Sequence, residues 1–138
     1  MIRQVVAFVE NQKGIIRQMT TGLREAGISI CGLSTVDSPE FGIVRMIVDQ
    51  PEAALKKLTG IGFVARACEV IAVRMESPEG MEEVLRVIED GNVNVNYFYS
   101  SFGKDGREPI LILNAADMDE TEAMLRGHGF FCMEDLAL

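Results

Sequence analysis

The chain lacks most of what a catalytic or metal centre is built from. Its only histidine is His128, tryptophan is absent, and its three cysteines, Cys31, Cys68 and Cys132, are scattered. A zinc site needs closely spaced nitrogen and sulfur ligands, and neither a C-x-x-C pair nor a second histidine supplies them. An odd number of distant cysteines, each in a strand-like run, reads as buried reduced thiols, not as a disulfide framework. No phosphate loop, G-x-G-x-x-G, H-E-x-x-H or G-x-S-x-G pattern occurs. With no nucleophile paired to a base, catalysis is not expected, and nothing calls for a cofactor or a metal. Apolar runs fall well short of the roughly 20 residues of a membrane span. The opening MIRQVVAFVEN enters a strand at once and has no small-residue cleavage site, so the expectation is a cytoplasmic chain without a signal peptide.

Basic charge is also scarce. Against 21 Asp+Glu stand 13 Lys+Arg, a net charge of −8. The deficit is confined to one end: residues 1–68 hold 8 Lys+Arg and 6 Asp+Glu, residues 69–138 hold 5 and 15. Such a chain repels phosphate backbones, and no basic stripe with interleaved aromatics compensates, so nucleic acid is excluded as a partner. The acidic surplus reads as a solvated surface. Apolar residues at 48% and charged residues at 25% are ordinary for a globular protein.

What the chain does have is a repeat. Residues 5–36, VVAFVENQKGIIRQMTTGLREAGISICGLSTV, and residues 70–101, VIAVRMESPEGMEEVLRVIEDGNVNVNYFYSS, follow one plan. Each is an apolar strand, a polar loop ending in glycine, an amphipathic helix, a small-residue stop and a second strand. A period near 66 residues is too long for a solenoid and implies a duplicated domain. In the first copy strands are expected at Gln4–Val9, Ile28–Val36, Ile43–Val48 and Phe63–Cys68. Helices are expected over Gly14–Ala26, stopped by Gly27, and from Pro51, the N1 residue, to Gly60 and Gly62. Ser38–Gly42 reads as a turn. In the second copy the strands are Val70–Met75, Val93–Phe102, Pro109–Asn114 and Phe130–Glu134. The helices are Pro78–Glu89 and Asp117–Arg126, and Gly103–Gly106 makes a hairpin turn. The order βαββαβ is the ferredoxin-like unit, an α+β fold with both helices on one face of an antiparallel sheet. Two domains follow, 1–68 and 69–138, joined by little more than Glu69. Domains that small are marginal alone, so rigid packing and self-association, a homodimer above all, are expected.

The loops Glu10–Gly14 and Glu76–Gly80 precede helix N-termini, where free backbone N–H groups and partial positive charge can hold a carboxylate. Gly14 and Gly80 leave room for its approach. Asn11 and Gln12 can orient it, and Glu10 can pair with an ammonium, so the first loop suits an amino acid. On the residues alone a plain tight turn, with Asn11 or Ser77 as helix cap, accounts for these loops better. Tyr97 and Tyr99, two apart on a strand, read equally as pocket lining or as core. The eight methionines read as core filler and His128 as an exposed turn residue.

Strand, polar loop, Gly, Ile15-Ile16, Leu23, Ala26-Gly27-Ile28-Ser29-Ile30 resembles the ACT domain motif, Asn/Asp-x-Pro-Gly-hydrophobic, then a helix, then Gly-Ile-Asn-Ile. Glu76–Gly80 and Asn92–Val95 carry it in the second copy. Leu33–Asp37, Phe41–Arg45 and Tyr97–Tyr99 resemble segments of the small stand-alone tandem ACT proteins. The resemblance implies sheets joined side by side and a non-enzymatic regulatory or sensor module that binds a small amino acid or related carboxylate. It places the ligand between one domain's first loop and the start of the other's second strand. One site would then hold Glu10, Asn11, Gln12, Lys13, Gly14 and Ile15 with Asn94 and Tyr97. A weaker one would hold Ser77, Gly80 and Met81 with Ser29. Lys13 and Glu79 stand where the family has proline, and Lys13 favours the first loop. The resemblance also implies a separate metabolic enzyme as partner. The alternative is a ligand-independent module for protein interaction and assembly.

Overall fold

Each helix among the described residues is switched off by the same device. In the computed structural model, which describes residues 1–37 and 40–135, the helices are α1 (Ile15–Glu25), α2 (Pro51–Gly60), α3 (Gly80–Asp90) and α4 (Met118–Gly127). After each, one residue turns left-handed: Gly27, Gly62, Asn92 and Gly129, with φ of 74°, 100°, 55° and 87°. The next amide then bonds back to the helix: Ile28 to the Leu23 carbonyl at 2.9 Å, Phe63 to Leu58 at 2.9 Å, Val93 to Ile88 at 3.1 Å and Phe130 to Leu125 at 3.1 Å. This is the Schellman arrangement, which favours glycine and accepts asparagine because the left-handed region penalises a Cβ. It explains two late strand starts. Ile28 and Val93 give their amides to the helix caps, so the strands that follow begin at Ile30 and Val95 instead of Ile28 and Val93.

The chain divides into two compact units, Arg3–Cys68 and a second made of Met1–Ile2 with Glu69 onward. In the first unit the strands are β1 (Ile2–Glu10), β2 (Ile30–Asp37), β3 (Phe41–Val48) and the start of β4 (Val64–Arg74), in the order β2-β3-β1-β4. β1 and β3 run antiparallel from Val5↔Met46 to Glu10↔Phe41. Val5, Ala7 and Val9 of β1 share a core with Val44, Met46 and Val48 of β3, Met19 and Leu23 of α1, and Ala54 and Leu58 of α2. Val5, Val6 and Ala7 are all buried, so both faces of β1 are covered, as its unbroken apolar run implies. Gln4 is buried too and donates from Nε2 to Cys68 Sγ at 3.2 Å. The turn expected at Ser38–Gly42 includes Ser38 and Pro39, which lie outside the described residues.

In the second unit β5 (Val95–Phe102), β6 (Pro109–Ala115), the later part of β4 and β7 (Phe131–Cys132) follow the order β5-β6-β4-β7. Ile71 and Val73 pack with Leu111 and Leu113 of β6, Val84 and Ile88 of α3, and Leu125 of α4. The βαββαβ order therefore occurs twice, with helices on an antiparallel sheet in each unit, as the repeat predicted. Four local expectations change. β4 is one strand of 11 residues, not two, because Ala67-Cys68-Glu69-Val70 contains no turn residue to interrupt it. β7 spans two residues, not five. α3 starts at Gly80, since Pro78 belongs to a preceding turn in which Gly80 N–H bonds the Ser77 carbonyl at 3.0 Å. Of the cysteines only Cys132 is buried, and burial pushes its thiol up to about 11, whereas Cys31 and Cys68 are half-buried. Among the described residues no helix is long and apolar enough to cross a membrane.

Candidate ligand-binding site

The β1–α1 loop is a tight, self-bonded turn. Gln12 N–H reaches the Glu10 carbonyl at 2.8 Å, and Ile15 N–H reaches the Gln12 carbonyl at 3.3 Å. The Gln12 side chain donates from Nε2 to Glu10 Oε2 at 2.7 Å. Gly14 then opens the helix with φ 84° and ψ 0°. A Cβ there would meet nothing within 4 Å among the described residues, so conformation, not space, requires the glycine. Neither Asn11 nor any other described side chain caps α1, and its first turn carries no acid. Its charges are cationic instead: Lys13 precedes the cap and Arg17 is the third helical residue, both exposed. A cation at a helix N-terminus opposes the helix dipole.

The equivalent end of α3 has the opposite character. Glu79 stands at the cap position, Glu82 and Glu83 occupy the first turn, and Ser77 makes no cap. Where the first copy has Lys13 and Arg17, the second has Glu79 and Glu83. Gly80 also differs from Gly14. Its backbone is ordinary, and a Cβ would sit 3.2 Å from Met75 Cβ, so packing against Met75, not conformation, opposes a side chain there.

Each unit has a groove between this loop and the junction of its second helix with its last strand. The first, about 380 Å³, is lined by Phe8, Glu10, Gln12, Ile15, Gln18, Ile61 and Val64 among others. A neighbouring depression shares Gln18 and Ile61 and adds Gly14, Arg17 and Lys57. The groove of the second unit, about 690 Å³, is lined by Glu76, Glu79, Glu83, Arg86, Asp90, His128 and Phe131 among others. Arg74 stands in its wall, paired through Nε with Glu108 and stacked 4.4 Å from the centroid of the Phe131 ring.

Of the residues marked by the sequence, Glu10, Gln12 and Ile15 meet in the first groove, and Gly14 borders its neighbour. Asn11 and Lys13 are exposed on the same loop. Ser77 and Gly80 line the second groove, while Met81 is half-buried against the core. Ser29 is exposed, its N–H bonded to Asp49 Oδ1 at 2.9 Å. It lies beyond the far end of α1, whose 11 residues span about 16 Å at 1.5 Å per residue, so one unit does not bring its own loop and strand start together. Asn94, exposed just before β5, and half-buried Tyr97 belong to the second unit. Arg17, Gln18, Ile61 and Val64 escaped the sequence reading. Their signal is indirect: Ile61 lies between two glycines, and Val64 follows the cap motif of α2. Among the described residues no cluster suits a metal ion.

Residues 1–136 match the family model of the ACT domain pair. No curated protein is matched by sequence. The protein BT0572 from Bacteroides thetaiotaomicron superposes with a TM-score of 0.81 at 25% identity, over 98% of this chain and 94% of that one. The regulatory subunit of aspartate kinase from Thermus thermophilus, in a ligand-free form, gives a TM-score of 0.63 at 20% identity, over 92% and 90%. That of Thermus flavus gives 0.60 at 17%, over 90% and 88%. These two share the fold with this chain.

Proposed function

Because the chain belongs to the ACT-domain-pair family, we propose that it is a non-enzymatic regulatory module that binds a small amino acid or related carboxylate at the N-terminus of α1. The observation that carries this reading is the charge inversion between the copies. α1 begins with no side-chain cap, no acid, and two cations, an arrangement that costs helix stability unless an anion is there. A ligand carboxylate supplies that anion, and Glu10, held by Gln12, is placed to receive the ammonium of the same molecule. Asn11 and Gln12 add amide donors and acceptors beside it. Asn94 and Tyr97 complete the site only if a second unit presents them to the loop. Binding would favour one packing of the units over another, and a separate metabolic enzyme would read the difference.

The test is thermal unfolding of the full chain with each of the twenty amino acids at millimolar concentration. A ligand at about 100 times its Kd adds roughly 2.7 kcal/mol, and Asn11→Ala should remove most of the resulting shift. Absence of any shift across the panel would sink the ligand reading. The observations would then favour an assembly module, with β5, the last strand in the sheet order, as its contact: Phe98 and Phe102 are 47% and 52% exposed on one face of it.

A further inference from the structure

The walls of the first groove say more about its ligand than the loop does. Ile15 and Ile61 are half-buried, Phe8 likewise, and Val64, the first residue of β4, is 69% exposed. They gather around one concave surface, not singly over the exterior. Among the described residues the only charged side chain lining it is Glu10, and the only other polar ones are Gln12 and Gln18. The zwitterionic head of an amino acid would use Glu10 and the start of α1. No charged group of the groove lining would then remain to pair with a charge on its side chain, since Arg17 and Lys57 line the neighbouring depression, and such a charge would lose hydration without compensation inside the groove. An apolar side chain would instead cover Ile61 and Val64, and removal of that surface from water favours binding.

Resting on the reading that the loop binds an amino acid, we propose that the first groove selects those with apolar side chains, and that Ile61 and Val64 determine this specificity. Gly22 leaves the space that the Ile61 side chain occupies. A Cβ there would come 2.8 Å from Ile61 Cδ1, so a side chain at this position would displace the end of Ile61. In the second unit the corresponding groove also has apolar walls, among them Phe130 and Phe131, but it adds Glu76, Glu79, Glu83 and Asp90 with Arg74 and Arg86, so charge dominates its polar lining.

The experiment titrates the full chain by calorimetry with leucine, valine, serine, aspartate and lysine. Leucine or valine should bind at least about 10-fold more tightly than serine, the scale of discrimination expected for one or two buried methyl groups. Val64→Ser, at an exposed position that tolerates change, should weaken leucine roughly 10-fold while leaving serine unaffected. Glu10→Gln should erase the preference for leucine over 4-methylpentanoate, which has the same shape without the ammonium. If serine, aspartate or lysine binds as tightly as leucine, this inference fails while amino-acid binding stands. An unchanged leucine-to-serine ratio in Val64→Ser overturns it as well. If none of the five binds, the failure lies in the underlying reading and takes the inference with it.

Discussion

Gly14 and Gly80 occupy the same place in the repeat, and the sequence assigns both of them one task. The backbone separates them. Gly14 holds φ 84° with open space where a Cβ would point, so only conformation opposes a side chain there. Gly14→Ala should therefore cost about 1–2 kcal/mol, the penalty of the left-handed region for an ordinary residue. Gly14→Asn should cost distinctly less, since asparagine tolerates that region, as Asn92 does after α3 at φ 55°. Urea unfolding of the two variants measures both values, and equal costs would mean that φ is not what the position selects. Gly80 meets Met75 instead. No single-residue pattern distinguishes the two cases, because the difference lies in whether the glycine precedes its helix or begins it.

At the scale of elements much was legible. The four helices, their order among the strands and the position of Pro51 at the start of α2 follow from periodicity and punctuation. The strand ends were less so. A residue such as Ile28 or Val93 looks like strand by composition, but its amide is claimed by the preceding helix, and only the cap geometry reveals this. The ends of α1 and α3 were half legible: Lys13 against Glu79 could be read from the loops, while Arg17 against Glu83 required knowing where α1 begins. That pair gives the sharpest element-level test. Arg17→Glu replaces a cation in the first turn of α1 with an acid, which should stabilise the ligand-free chain by about 1 kcal/mol through the helix dipole. The same change should weaken ligand binding if the proposed site is used, because the new carboxylate would occupy the place proposed for the ligand's own. Denaturant unfolding together with titration reads both effects. A variant that is more stable and binds as before would show that the cations at α1 serve no anion.

Over the whole molecule the candidate site was the least legible part, for a topological reason. The loop is contiguous in sequence and was found there. Its opposite wall, Ile61 and Val64, comes from the α2–β4 junction some fifty residues later, and only the sheet order, with β4 beside β1, brings it back to the loop. Charge is likewise a property of the whole chain. The 15 acids against 5 bases in residues 69–138 repel one another, whereas residues 1–68 are nearly balanced and carry the cations of the proposed site. Salt acts on both. The screening length falls from about 10 Å at 0.1 M to about 3 Å at 1 M, so added salt should relieve the repulsion and raise the Tm of the ligand-free chain. The same salt should screen the carboxylate from Lys13 and Arg17. An exposed charge pair is worth about 1 kcal/mol in water, so affinity should drop several-fold over that range. The two trends are opposite in sign and arise in different halves. Calorimetric scans with and without ligand across a salt series would show the ligand-induced shift shrinking while the baseline Tm climbs. A shift that stays constant as the baseline rises would mean that the ligand is held by apolar contact alone and that the cations at α1 take no part.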